Sequence, residues 1–307
     1  MVTLRQLQYF VQIVAENSFT EAASELRVSQ SGLSHQVKTL EAGLGGPLFE
    51  RLGRGIRLTT LGREVLPLAR AVLLDSRRVQ DRADQVLGLL GGTVEVATLN
   101  SLSLGVLPRV LCRWRTSRPA VSIGLHEFPS LRDLVTAMEG GVGDLGIAPL
   151  PAGWPGPSWE LGIEEFVIVV GQSHRLAQAG ATTARMEELA VDPWIHFSEQ
   201  HDLAKLLTQT AASSGFEPLV AMRTGQTAAV PGFAAAGIGA ALVPANIIGV
   251  NFPGHLLRPD PPIVRKIFAF IRSEPDSLLS SFIAGLSENI DLTPEHVRSR
   301  CGVGEVC

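Results

Sequence analysis

Residues 4–14 place Leu4, Leu7, Phe10, Val11 and Val14 three and four positions apart, which is one apolar face of a helix. Ser18 and Thr20 stand where a second helix would be capped, and Ala22, Ala23 and Leu26 let a third helix cross it closely. Val28 fills the turn, and Ser29 reads as the N-cap of that third helix. There Leu33, Val37 and Leu40 point inward at i, i+4 and i+7, while Gln30, Ser31, Ser34, His35 and Lys38 share the opposite face. Gly43, Gly45 and Gly46 are expected to end the helix. LFER and IRLT then alternate like two short strands around Gly53-Arg54-Gly55, a β-hairpin carrying Arg51, Arg54 and Arg57.

From residue 61 to 90 the pattern becomes a seam: Val65, Ala69, Val72, Ser76, Val79, Ala83, Val86 and Leu90 alternate four and three apart. That is the heptad spacing of a helix pairing with a partner helix. Pro67 interrupts its first turns. Beyond Gly91-Gly92, short β runs alternate with helices: strands at 94–99, 121–125 and 145–148 and helices at 104–118 and 131–138. After the proline-rich stretch 149–157, strands are expected at 166–170, 194–197, 220–222 and 240–243, with 267–271 returning to the first set. The alternation predicts a mostly parallel sheet and two α/β lobes with a cleft between them.

Composition narrows the class. The 307 residues exceed one ordinary core, and 45% hydrophobic with 18% charged residues describes a globular chain. No apolar run reaches membrane-spanning length and no signal peptide opens the chain, so a cytoplasmic protein with no membrane partner is expected. Three cysteines, Cys112, Cys301 and Cys307, are too few and scattered for a disulfide framework or a zinc site, and Cys112 among Val110, Leu111 and Trp114 reads as a packed thiol. The net charge of −4 is unevenly spread: residues 1–90 hold 11 Lys and Arg against 9 Asp and Glu, the remainder 15 against 21. The basic share thus lies with the three short helices and the hairpin.

Short hydrogen-bonding side chains on an exposed helix start, with a cation one turn on, are what base edges and phosphates in a major groove require. A solvated helix face has the same composition, but three guanidiniums on one small hairpin suit phosphates better. The whole stretch LRQLQYFVQIVAENSFTEAASELRVSQSGLSHQVKTLEAGLGGPLFERLGRGIRLTTLGR resembles the DNA-binding region of LysR-type transcriptional regulators. The resemblance implies a winged helix-turn-helix over 1–60, with Gln30, Ser31, Ser34, His35 and Lys38 toward the groove and Arg51 and Arg54 of the wing on flanking backbone. Ser31 stands where the family commonly has Pro, and His35 where it commonly has Arg. A dimerising linker helix follows over 61–90.

The phrases SLGVLPRVLCRWRTSRPAVSIGLHE, GDLGIAP, FVIVVGQSHRLA and AAAGIGAALVPANI resemble, in that order, the effector-binding domain of the same family, whose fold is that of periplasmic solute-binding proteins. The resemblance implies an effector domain over 91–307, with lobe I at about 91–163 and 267–290 and lobe II at about 164–266; the tail from Asp291 is unassigned. Ligands there sit where strands end and helices begin, which selects Asn100, Ser101, Ser103, Ser130, Ser198, Glu199, Gln226 and Thr227. Hydroxyls and free amides at helix starts favour a small carboxylate, whereas ordinary capping is the alternative for each one singly. Glu199 would repel such a ligand unless it points away.

Other signals lead nowhere catalytic. Gly141-Val142-Gly143-Asp144-Leu145-Gly146 fits G-x-G-x-x-G but precedes a strand instead of following one. His196 and His201 lack a third ligand in register and read as a strand and a loop residue. No nucleophile elbow, Walker or paired-carboxylate motif is present, so neither enzyme activity, metal nor cofactor is assigned. The expected fold is an all-α winged helix-turn-helix followed by a two-lobed α/β domain. The expected partners are double-stranded DNA, a small effector and a second copy in a homodimer or homotetramer, with RNA polymerase a further candidate. A solute-binding protein would share the lobes but would need no wing.

Overall fold

The computed structural model describes residues 2–51, 56–86 and 92–301. The chain packs as two compact units: residues up to Thr93 together with Thr136–Val142, and the remaining described residues.

In the first unit the sequence closes each helix locally. Thr3 and Gln6 form a capping box on α1 (Leu4–Glu16), Ser18 accepts from the Glu21 N–H ahead of α2 (Phe19–Glu25), and Ser29 accepts from the Gly32 N–H at 3.1 Å ahead of α3 (Gln30–Leu44). Gly45, at φ 80°, ends α3 in the left-handed conformation, so Gly43 lies inside the helix and not beyond it. Phe10, Ile13, Leu33, Val37 and Leu40 are buried together, and Phe49 meets Phe10 edge-on at 5.4 Å. The predicted α1 face is rotated slightly: Leu4 is exposed, and Ile13 takes the central position. Two short strands, β1 (Phe49–Arg51) and β2 (Ile56–Leu58), pair antiparallel; the turn 53–55 lies outside the described residues.

The long helix α4 (Thr60–Val86) divides its seam between two environments. Ala69 is buried in the first unit's core with Val65, Leu66 and Leu73 against it, whereas Val72 and Val79 are exposed, Val79 by 73%. Leu90 and the Val86 side chain lie outside what is described.

From residue 92 the chain runs through β3 (Gly92–Leu99), α5 (Asn100–Gly105), α6 (Leu107–Ser117), β4 (Val121–Phe128), α7 (Leu131–Glu139) and β5 (Leu145–Ala148). One helix was expected over 104–118; two form, because Pro108 has no N–H to give the Leu104 carbonyl. The long strand β6 (Ser158–Val170) then runs from the first lobe into the second. The second lobe adds α8 (Arg175–Gln178), β7 (Thr183–Ala184), β8 (Pro193–Phe197), α9 (Asp202–Ser213), β9 (Leu219–Thr224), α10 (Val230–Ala235), β10 (Ala241–Pro244) and β11 (His255–Pro259). Strand β12 (Val264–Phe270) returns beside β6, and α11 (Ser277–Asn289) and α12 (Glu295–Cys301) follow.

The sheet is mixed rather than mostly parallel. Its order is β4-β3-β5-β12-β6-β11-β7, with β10 also on β6. β3 and β5 are parallel, as are β8 and β9, but β6 is antiparallel to β10, β11 and β12. The reason is the return of β12 directly alongside the crossing strand. The tail from Asp291, unassigned in the sequence, forms α12, whose Val297 and Cys301 enter the second lobe's core. Burial pushes the Cys301 thiol up to about 11. Cys112 is exposed, contrary to its expected packing.

The lobes also touch where α5 meets the 3-10 turn Ala245–Ile247. A Cβ on Gly105 would lie 2.3 Å from the Asn246 carbonyl oxygen. Gly105→Ala is therefore expected to cost about 1–3 kcal/mol, read as a lowered melting temperature of the whole chain; an unchanged transition would show that this approach is not required.

Candidate functional sites

On the exposed face of α3, Gln30, Ser31, His35 and Lys38 are solvent-accessible and Ser34 is half-buried. They are held there by the opposite face, where Leu33, Val37 and Leu40 are buried. Ser31 lies 3.4 Å from the capping Ser29 hydroxyl, and Lys38 forms no ion pair among the described residues. On the wing, Arg57 is held by Glu50 at 2.6 Å, which neutralises one of the three guanidiniums read as phosphate ligands. Arg54 and the Arg51 side chain lie outside the described residues.

Between the two lobes of the second unit, the selected polar residues separate into distinct groups. Ser101, on α5, is 3% exposed and accepts from Arg265 Nη2 at 3.4 Å. Arg265 reaches it from β12, where its Nε also meets the carboxylate of fully buried Glu164 on β6; Asn246 Nδ2 donates to the other Glu164 oxygen at 2.6 Å. The guanidinium stacks over Phe166 at 5.1 Å. Thr227, also 3% exposed, lies 3.0 Å from His201 Nε2.

The His201 ring has a defined tautomer. The Leu203 N–H donates to Nδ1 at 3.2 Å, so the ring proton sits on Nε2 and is donated to Thr227. Burial pushes the His201 pKa below its usual value; Asp202 opposes this and Arg265 reinforces it. Each of the two buried hydroxyls, Ser101 and Thr227, thus accepts a hydrogen bond, and neither donates to another side chain or backbone group among the described residues. Asp202 closes the lobes beside them. Its carboxylate accepts from the Leu131 N–H at 2.5 Å and its own N–H donates to Pro129 O at 3.2 Å.

The other selected residues are engaged elsewhere. Ser130 caps α7, donating to Asp133 Oδ2 at 2.7 Å and accepting from the Asp133 N–H at 3.1 Å. The Ser103 hydroxyl lies 2.9 Å from the Asn100 carbonyl oxygen and against the Glu127 carboxylate. Asn100 itself opens α5 half-buried. Ser198 ties β8 to β9 through its N–H to Thr224 O at 3.0 Å, and Gln226 is exposed with its N–H on Thr224 Oγ1. Glu199 points into a separate surface cavity of the second lobe. Arg265, Glu164, Asn246 and Asp202 were missed. An arginine amid the β-forming run Val264–Phe270 was the one local signal available.

Residues 4–63 match the family described as bacterial regulatory helix-turn-helix protein, lysR family, and residues 87–290 match the LysR substrate binding domain. The transcriptional dual regulator GltC of Bacillus subtilis is 30% identical over 81% of this chain and 83% of its own. The regulator BenM of Acinetobacter baylyi is 27% identical over 94% of both. Among solved structures, a full-length OxyR variant from Pseudomonas aeruginosa superposes with a TM-score of 0.72 at 20% identity, covering 96% of this chain and 100% of that one. CbnR in complex with its target DNA gives a TM-score of 0.67 at 23% identity, covering 94% and 99%. No helix among the described residues is long and apolar enough to cross a membrane. With both domain families matched in order, the chain belongs to the LysR family of transcriptional regulators, which are DNA-binding proteins with an effector-binding domain and not enzymes.

Proposed function

We propose that this regulator reads operator DNA with the exposed face of α3, pairs through the outer half of α4, and responds to a small carboxylate held between its lobes. The observation that carries the effector reading is the pair of buried hydroxyls, Ser101 and Thr227, whose acceptor roles are filled by Arg265 and His201. Their protons need an acceptor, because a buried donor left unsatisfied costs about 1–3 kcal/mol. A carboxylate oxygen accepts both, and the Arg265 guanidinium, whose charge already answers Glu164, adds hydrogen-bond donors beside Ser101. Asp202, latched to the other lobe, makes closure and ligand enclosure the same event. The chain works in the cytoplasm, where DNA and RNA polymerase are available to it.

At the other end, Gln30, Ser31, Ser34 and His35 contact base edges, and Lys38 with wing residues Arg51 and Arg54 contacts phosphates. Exposed Val72 and Val79 on α4 give the partner helix its apolar surface, so the assembly is a homodimer or a pair of dimers.

Three outcomes are expected. Lys38→Ala weakens binding to specific and random DNA alike and lowers the salt dependence of affinity, whereas Gln30→Ala costs about 1–3 kcal/mol at one base pair; equal losses on both kinds of DNA for Gln30→Ala would remove it from base readout. Val79→Asp makes a fragment ending at Gly91 sediment as a monomer where the unmodified fragment is a dimer. In a melting screen of small carboxylates, a ligand at a hundred times its dissociation constant stabilises the effector domain by about 2.7 kcal/mol. Ser101→Ala and Thr227→Val abolish that shift; its survival in both would move the site out of the cleft.

A further inference from the structure

A second polar cavity, of about 390 Å³, opens on the flank of the second lobe between α9 and the edge strand β9. His196, Glu199, Lys205, Thr208, Gln209 and Arg223 line it, and none of them belongs to the group around Ser101 and Thr227. We propose that this cavity is a second ligand site, distinct from the interlobe cleft, that takes a small molecule bearing an oxyanion group.

The register of β8 and β9 creates it. His196 and Arg223 are cross-strand partners, so both side chains rise on one face of the sheet, the face that α9 covers with Ala204 and Thr208. β9 is an edge strand of this pair, and Arg223 is exposed on it. Arg223 has no carboxylate within ion-pair distance among the described residues, and its one hydrogen-bond contact is to His196 Nδ1 at 3.3 Å.

That contact competes with a better one. The carbonyl oxygen of Phe197 lies 2.8 Å from the same Nδ1, and one nitrogen cannot both donate to a carbonyl and accept from a guanidinium. The shorter contact assigns the proton to Nδ1. The Thr208 hydroxyl, 3.2 Å from Nε2, gives its own proton to the Ala204 carbonyl oxygen at 3.0 Å and so leaves that nitrogen without a donor. The Arg223 fork then faces the cavity with no acceptor among the described residues. Lys205 stands beside it, 59% exposed and held only by Asp202 at 3.6 Å, a carboxylate whose other oxygen is already taken by Leu131 N–H. Two cations, a threonine and a glutamine thus surround a space large enough for a metabolite, and planar or tetrahedral oxyanions match the guanidinium fork. Glu199, exposed at the cavity, is the acidic residue of its lining, and Asp202, just outside it, already faces Lys205.

Radiolabelled sulfate is the probe, measured by equilibrium dialysis against the full chain at constant ionic strength. The expected result is a saturable site that Arg223→Gln and Lys205→Gln each weaken by about tenfold. Glu199→Gln should tighten it, since a like charge is removed. Thr227→Val, in the interlobe cleft, should leave it unchanged, so this site and the cleft fail or survive separately. Displacement of the bound sulfate by phosphate or by succinate supports the proposal and names the oxyanion the cavity prefers. The absence of saturable binding, retention of full affinity in both cation variants, weakening by Glu199→Gln, or loss in Thr227→Val would each overturn it.

Discussion

A carboxylate with no access to water sits where the chain crosses between lobes. Glu164 is completely buried on β6, and transfer of an unpaired carboxylate from water to such a place costs many kcal/mol. Its compensation comes from both directions: Arg265 from the returning strand and Asn246 from the second lobe's 3-10 turn. That requirement fixes the register of β12 on β6, since Arg265 must stand opposite Glu164. It also places the Arg265 guanidinium beside Ser101, so the group that neutralises the crossing strand is the group that gives the cleft its polarity.

The next residue along the strand applies the same constraint to the other face. Glu165, nearly as buried, points away from Glu164 as strand pleating demands and pairs with Arg258 on β11 at 3.1 Å. Two consecutive acids in a hydrophobic strand are therefore neutralised on opposite sides of the sheet. The cleft side joins the two lobes, and the other joins neighbouring strands of the second lobe.

How much of this could be read from residues alone follows the range of the interactions. The three N-terminal helices were legible because their signals are local: Ser18 and Ser29 cap at the start, Gly45 stops α3, and Leu33, Val37 and Leu40 recur with the helix period. The lobes were legible from alternating runs, but not their strand directions, because nothing within Val264–Phe270 tells which strand it will lie against. Among the cleft residues, Ser101 and Thr227 were found through their positions at helix starts, while Arg265, His201 and Asp202 needed the fold to bring β12 and α9 together. Ser130 and Ser103 looked equivalent to Ser101 in sequence; only the positions of Asp133 and Glu127 separate them. Glu199, selected with the others by its place after β8, lines a separate surface cavity.

The C-terminal segment changes how the two lobes can move. α11 packs on α6 of the first lobe, with Phe282 edge-on to Trp114 at 4.8 Å, whereas α12 sends Val297 and Cys301 into the second, where His296 Nε2 donates to the Ile248 carbonyl oxygen at 2.8 Å. Residues 290–294 therefore cross between the lobes as a third covalent tether beside β6 and β12. Two adjacent strands alone form a hinge about which one lobe can swing wide. A third attachment, with Leu292 against Gly162 of β6 and Asp291 between Arg109 and Arg298, restrains that swing.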